Sequence, residues 1–494
     1  MKRYILAIDH GTTNSRAIVF DQEGKQVGLH EVGLQQYFPQ SGWVEQQPED
    51  YFDQSVVCCR LALSQANVAA SDIAAIGITN QRETTIIWHK NTGKAVYPAI
   101  VWQDRRTSDA CKKLAETDLA DMVRDKTGLL LDPYFSATKI AWILDHVAEA
   151  REQAIRGELL FGTVDTYLLW RLTGGKAHAT DASNASRTAL FNIHTQTWDA
   201  ELLKRFDIPE TLLPKVLDNT ADFGVLDTSI LGVGIPIAAM AGDQQAATIG
   251  QACFHPGMVK TTFGTGCFML LNTGNEVVKS RANLLATVAY RIQNKTTYGL
   301  EGSIFCAGVT VKWLRDKLKV IKSSAETEVI AKSIPNTNGV YLIPAFTGLG
   351  APYWDPDVRG ALVGLTQNSG IAEIVRAGLE SVVYQVRDLL HAMAADYPHH
   401  VTTMRVDGGM TANQWLMQFL ADMLDLTVER PDNIETTALG AAYLAGLQVG
   451  LYHSLDEIAA HWQMNSRFTP NMQQDQRDDF YQGWQQAIQR TLLV

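Results

Sequence analysis

Four short stretches carry side chains whose types and spacing could do chemistry. The first is Asp9-His10-Gly11-Thr12-Thr13-Asn14-Ser15-Arg16. Glycine and small hydroxyl residues at a tight turn let backbone N–H groups approach a phosphate, and Arg16 can add a charge-assisted contact. Asp9 ends an apolar run and is placed to hold a divalent ion through water, since Mg²⁺ on phosphates uses few carboxylates. A plain hairpin turn is the other reading of the same residues. The second stretch is Ala241-Gly242-Asp243-Gln244-Gln245, where an apolar strand ends in a carboxylate at the usual ligand position of an open α/β sheet. Asp243 could accept a proton from a hydroxyl there, or could simply cap the helix that follows.

The third stretch is Asn80-Gln81-Arg82-Glu83-Thr84-Thr85. Arg82 and Glu83, side by side, can bond neighbouring hydroxyls of a polyol, one donating and one accepting, or can form a surface ion pair. Trp102, Tyr134 and Phe268 could wall such a pocket or belong to the core. The fourth is Val406-Asp407-Gly408-Gly409-Met410-Thr411-Ala412-Asn413. Its glycines permit close approach of a flat ring or a phosphate, and Asn413 can cap the next helix or contact a base. No G-x-x-x-x-G-K-[ST] and no G-x-G-x-x-G occurs, so the P-loop and dinucleotide-fold routes to a nucleotide are absent.

The elements that must position these residues alternate between strand and helix, an α/β pattern. Residues 4–9 and 16–21 read as strands around a glycine turn, and residues 258–271 repeat that grammar around Gly264-Thr265-Gly266. Two such hairpins about 250 residues apart predict two lobes. Residues 73–79, 84–88 and 404–406 read as strands, and 139–156, 165–171 and 413–423 as helices. Ile371, Ile374, Val375, Leu379, Val382, Val386, Leu389 and Met393 form one stripe of a long amphipathic helix, with Glu373, Arg376, Glu380 and Arg387 off it. Residues 437–450, rich in Ala and Gly, suit close packing against a neighbour.

Composition limits the function classes. The 494 residues are 46% hydrophobic and 19% charged, ordinary for a folded chain, and the net charge of -11 argues against nucleic acid as the main partner. The apolar stretch at 231–242 is broken by Gly232, Gly234 and Pro236, so no membrane insertion is expected. Six cysteines without a C-x-x-C spacing read as reduced thiols of a cytoplasmic protein.

Taken in order along the chain, IGITNQRETTIIW (76–88), AGDQQAA (241–247), FGTGCFML (263–270), PAFTGLGAPYWDP (344–356) and ETTALGAAYLAGL (435–447) resemble the FGGY family of carbohydrate kinases, within the actin and hexokinase-like ATPase superfamily. Residues 134–146, with Lys139 and Trp142, look like its first signature, and 360–380 like its second. The resemblance implies two actin-like, ribonuclease H-like ATPase lobes with a cleft between them: residues 1–251 for glycerol and phosphate, and 252–494 for nucleotide. It implies ATP-dependent phosphorylation of glycerol to sn-glycerol 3-phosphate with Mg²⁺. A kinase for another polyol or ketose, or a non-catalytic ATP-binding module, are the alternatives.

On this resemblance Asp243 is the general base. Arg82, Glu83, Tyr134 and Asp243 hold the glycerol hydroxyls with help from Gln244, and Trp102 and Phe268 pack on its carbon face. Thr12, Thr13, the backbone at Asn14 and Arg16 grip the ATP phosphates, and Thr265, Gly308, Gly409 and Asn413 hold the nucleotide. Asp9 and Asp243 attend the metal. A homo-oligomer, dimer or tetramer, is implied as well. The chain departs from the family at His10 and Asn14, where Gln and Ser are usual. It also departs at Lys312, near the adenine position, and at 231–237, which lack the Arg of a fructose bisphosphate loop.

Overall fold

The computed structural model describes residues 3–355 and 357–493; Met1, Lys2, Pro356 and Val494, which fall within stretches read above, lie outside the described residues. The apolar run after Arg3 folds as β1 (Tyr4–His10), and the Gly11-Thr12-Thr13 turn returns the chain antiparallel as β2 (Asn14–Phe20), with Asp9 opposite Arg16. β3 (Gln26–Gly33) extends that meander, and helix α1 (Pro48–Ala66) carries the chain back. β4 (Ile73–Asn80) then lies parallel to β1, and β5 (Ile237–Gly242) parallel to β4. The strand order is β5-β4-β1-β2-β3. The three parallel strands are covered on both faces, so they read as near-continuous apolar runs rather than alternating ones.

The second half repeats this plan. After helix α2 (Asp243–Gly250), β6 (Met258–Phe263) and β7 (Cys267–Gly274) form a hairpin, followed by β8 (Leu285–Ile292) and β9 (Lys295–Ile304). Helix α3 (Ile371–Asp396) leads into β10 (Thr403–Asp407), parallel to β6. Helix α4 (Gln414–Leu424), capped by the Asn413 side chain, leads into β11 (Val428–Pro431), parallel to β10. Helix α5 (Thr436–Gln448) precedes β12 (Met464–Phe468), which closes the sheet in the order β8-β9-β7-β6-β10-β11-β12.

Three expectations change. The strand read at 84–88 is Ile86–His89, because residues 81–85 form the loop that carries Arg82. The helix read at 139–156 is two helices, Ser136–His146 and Ala150–Ile155, broken where Glu149 takes φ 60°. Along α3, Glu373, Arg376, Glu380 and Arg387 are buried together with the apolar stripe from Val375 onward, while Ile371 at the start of the helix is exposed. Arg376 pairs with Glu380 at 2.8 Å and donates to backbone carbonyls of Ala331 and Ile334. Arg387 lies 4.0 Å over the Tyr481 ring of the last helix, Gln474–Leu492. A stripe predicts one covered face, whereas here neighbouring helices cover both.

Helix α5 lies in sequence between two strands of the second sheet, β11 and β12, but packs on the first sheet, and it also crosses α2. A Cβ at Gly440 would lie 1.8 Å from the Ala246 carbonyl oxygen, one at Gly250 2.0 Å from that of Thr436, and one at Gly77 2.2 Å from that of Ala441. Backbone therefore meets backbone at the junction of the two sheets, which accounts for the Ala/Gly composition of 437–450. Gly440→Ala is expected to cost about 1–3 kcal/mol by overpacking, read as a lowered thermal midpoint. Gly409→Ala, whose added Cβ meets nothing within 4 Å, leaves the midpoint unchanged.

Candidate active site

Register brings two loops and the start of a helix to one edge. His10 of β1 and Gly242 of β5 both pair with Asn80 of the intervening β4, so the three parallel strands end level. The turn after β1 carries Gly11 to Thr13, the loop after β4 carries Gln81 to Thr85, and β5 runs directly into α2 at Asp243, all at the carboxyl edge where open α/β sheets bind ligands. Asp9 and Asp243 sit at the ends of strands two spacings apart, about 10 Å.

Gly242, not Asp243, caps α2; Asp243 is the first helical residue, and its Oδ1 accepts the Gln244 amide at 2.7 Å. Arg82, in the left-handed region at φ 63°, is buried rather than part of a surface ion pair. Its Nε lies 3.2 Å from Asp243 Oδ1, its Nη2 donates to Tyr134 Oη at 2.9 Å, and its Nη1 donates to Glu301 Oε2 at 2.5 Å. Glu301 Oε1 accepts from Arg187 Nη2 at 2.9 Å, and Arg187 Nε donates to Glu83 Oε1 at 2.7 Å. Glu83 Oε1 is in turn 3.8 Å from Arg82 Nε, closing a ring of alternating charge. The ring side chains are 0–3% exposed, against 28% for Asp243, so Asp243 is the carboxylate of this cluster that faces outward.

The aromatic wall also assembles. The Trp102 ring sits 5.5 Å from Tyr134 and 6.3 Å from Phe268, each edge-on. Trp102 Nε1 donates to Thr12 Oγ1 at 2.8 Å, linking the wall to the first glycine turn. Lys139 is buried and donates to the Tyr134 carbonyl at 2.5 Å, and Ser136 Oγ donates to the Glu83 carbonyl at 3.0 Å. The 134–146 segment thus fixes both Tyr134 and Glu83. Burial lowers the Lys139 pKa to about 8.

The second sheet supplies the opposing face. Lys260, Leu270 and Glu301 pair across β6, β7 and β9, and Thr262, Phe268 and Ser303 form the next row on the same side. Burial raises the Asp243 carboxyl above the ordinary aspartate value, an effect Arg82 partly offsets. Burial alone would raise Glu301 too, but Arg187 and Arg82 pull it below the usual carboxylate range. Lys260 is lowered by burial, against the attraction of Asp407 and Asp243.

Around the first turn, Arg16 contacts Asp9 and pairs with Glu435, just before α5, at 2.6 Å. The side chain expected on phosphate is therefore held between two carboxylates. His10 is buried, bonded to Tyr51 O and Ser55 Oγ, and burial lowers its pKa to about 4, so it adds no charge to the turn near neutrality. Thr12, Thr13 and Asn14 remain at least partly accessible, as do Thr265, Gly308, Gly409 and Asn413. The Asn413 side chain accepts the Leu416 amide at 2.9 Å and donates to Thr327 Oγ1 at 3.3 Å, so it serves first as a cap. Lys312 is exposed on the helix that begins at Gly308. Among the described residues no three His, Cys, Asp or Glu side chains converge as a metal cage. Of the two carboxylates expected to attend a metal, Asp9 is buried against Arg16, whereas Asp243 is partly exposed and open to a hard cation that keeps most of its waters.

Sequence reasoning missed Arg187, Glu301 and Lys260. The available signal was a lone charge inside an apolar or small-residue run, as in SNASRTALF, YGLEGSIF and GMVKTTF, because a charge there must find a partner. Replacing Glu301 by Gln leaves two buried guanidinium groups facing the single carboxylate of Glu83 within the ring. The expected loss is about 3–5 kcal/mol of stability in urea unfolding.

The chain matches the FGGY family of carbohydrate kinases, N-terminal domain, over residues 4–250 and the C-terminal domain over residues 259–449. It is 58% identical to a glycerol kinase of Coxiella burnetii, covering 100% of this chain and 98% of that one. It is also 58% identical to glycerol kinase 1 of Pseudomonas aeruginosa, covering 99% of each. The crystal structure of Plasmodium falciparum glycerol kinase with ADP superposes with a TM-score of 0.94 at 36% identity, over 99% of this chain and 98% of that one.

Proposed function

Because the chain belongs to the FGGY family of carbohydrate kinases, we propose that it transfers the γ-phosphoryl group of ATP to a terminal hydroxyl of glycerol, giving sn-glycerol 3-phosphate and ADP. Its two large sheets, of five and seven strands, are the cores of the two lobes of the actin-like ATPase fold. We assign residues 1–251 to the first lobe and 252–494 to the second.

The observation that carries this reading is the convergence on Arg82 of Tyr134, Asp243 and Glu301 beside an aromatic wall. Glu83 Oε2, buried and without a protein partner, supplies an acceptor for a hydroxyl, and Arg82 supplies a donor. Trp102 and Phe268 cover a carbon chain, and bulky walls this close favour a three-carbon polyol over a ketose. Full-length relatives named glycerol kinase support the same substrate.

In this mechanism Asp243, oriented by Arg82, takes the proton of the attacking hydroxyl. That oxygen bonds to phosphorus as the bond to the ADP oxygen breaks. Backbone amides and hydroxyls at Thr12, Thr13 and Asn14, with Arg16, receive the phosphates, and Thr265, Gly308, Gly409 and Asn413 receive the nucleotide. Mg²⁺ at Asp9 and Asp243 would neutralise charge on the phosphoryl oxygens. Residence in the cytoplasm is supported by six free, buried cysteines, and a homo-oligomer by the family resemblance.

Asp243→Asn is expected to lower kcat by roughly 10² or more with ATP binding near normal, measured by ADP release. A pentulose with a higher kcat/KM than glycerol in the wild type would sink the glycerol assignment. Since a base must be deprotonated to act, kcat/KM for glycerol falls as pH drops through the raised Asp243 value. At saturating Mg-ATP that acid limb lies above the pH at which an exposed aspartate titrates.

A further inference from the structure

We infer that Lys260 is a positioning residue of the polyol site, fixing the side-chain amide of Gln244 so that its Nε2 is offered to a substrate hydroxyl oxygen as a donor. This rests on the glycerol reading above. Lys260 lies on β6 of the second lobe and is fully buried, and its Nζ donates to Gln244 Oε1 at 2.5 Å. Gln244 follows Asp243 at the start of α2, in the first lobe.

An amide that can flip presents either an oxygen or an N–H₂ to its ligand, but an ammonium has donors only, so the atom facing Lys260 must be Oε1. Nε2 is then the end of the amide turned away from the lysine. The other charges facing Lys260 are Asp243, Glu301, Asp407 and Arg82. Asp407 Oδ2 already accepts from Gln251 at 2.9 Å and Thr436 at 2.7 Å, and Glu301 is held by Arg82 and Arg187. The ammonium donates to Gln244 Oε1. Because donor and acceptor come from different lobes, the amide is set only when the lobes are apposed as they are here.

The test is steady-state kinetics on full-length wild type, Lys260→Met, Lys260→Arg and Gln244→Glu, with glycerol, propane-1,2-diol and Mg-ATP. Lys260→Met should raise the glycerol KM about tenfold, shrink the preference for glycerol over the diol, and leave the Mg-ATP KM within about twofold. Lys260→Arg, which keeps a donor, should recover part of the preference. Gln244→Glu keeps an acceptor for Lys260 but loses the Nε2 donor, so it should stay folded and lose the same preference even if Lys260→Met does not fold. Adding Lys260→Met to Gln244→Ala should cost little beyond Gln244→Ala alone. Wild-type glycerol KM and selectivity in Gln244→Glu or in folded Lys260→Met overturn the inference, as do equal losses for glycerol and ATP. A wild type without glycerol turnover overturns the underlying glycerol reading, whereas turnover with unmoved variants overturns this inference alone.

Discussion

The ion pair between Arg82 and Glu301 is the contact on which the rest depends. Arg82 leaves the end of a first-lobe strand, Glu301 comes from a second-lobe strand, and both are almost wholly buried. Taking either charge out of water costs several kcal/mol, which only close opposite charge and hydrogen bonds repay. Arg187 and Glu83 complete the repayment by closing the ring. The groups proposed to read a polyol are therefore held by a contact between lobes, and neither lobe carries the site by itself.

Two further constraints make that contact possible. The parallel register of β1, β4 and β5 brings the glycine turn, the Arg82 loop and Asp243 to one edge at one level. The glycine crossing of α2 and α5 lets backbones touch, so the second lobe can lay the row of Lys260, Leu270 and Glu301 on that edge. A larger residue at the crossing would hold the rows apart. Burial then raises the Asp243 carboxyl above the ordinary aspartate value, an effect that Arg82, 3.2 Å away, partly offsets.

Much of this was legible in sequence because it is local. Strand ends marked by Asp9, Asp243 and Asp407, glycine turns after β1 and β6, and the stripe of α3 follow from periodicity and turn chemistry. Arg82, Glu83, Trp102, Tyr134 and Phe268 were found through their order along the chain, and they do meet. For Arg187, Glu301 and Lys260 the local signal, a lone charge in an apolar or small-residue run, says that a partner is needed but not which one, since the partners lie between 16 and 219 residues away.

By itself, then, the sequence determined the two-fold α/β plan and the residue types of the site, because backbone preferences and hydrophobic period act over a few residues. Tertiary structure decided which charges pair, that the polar side of α3 is buried, that Asn413 caps, and that Arg16 is held by Asp9 and Glu435. Those outcomes depend on burial and on distances between remote segments, and a buried charge is tolerated only beside the partner that packing brings to it.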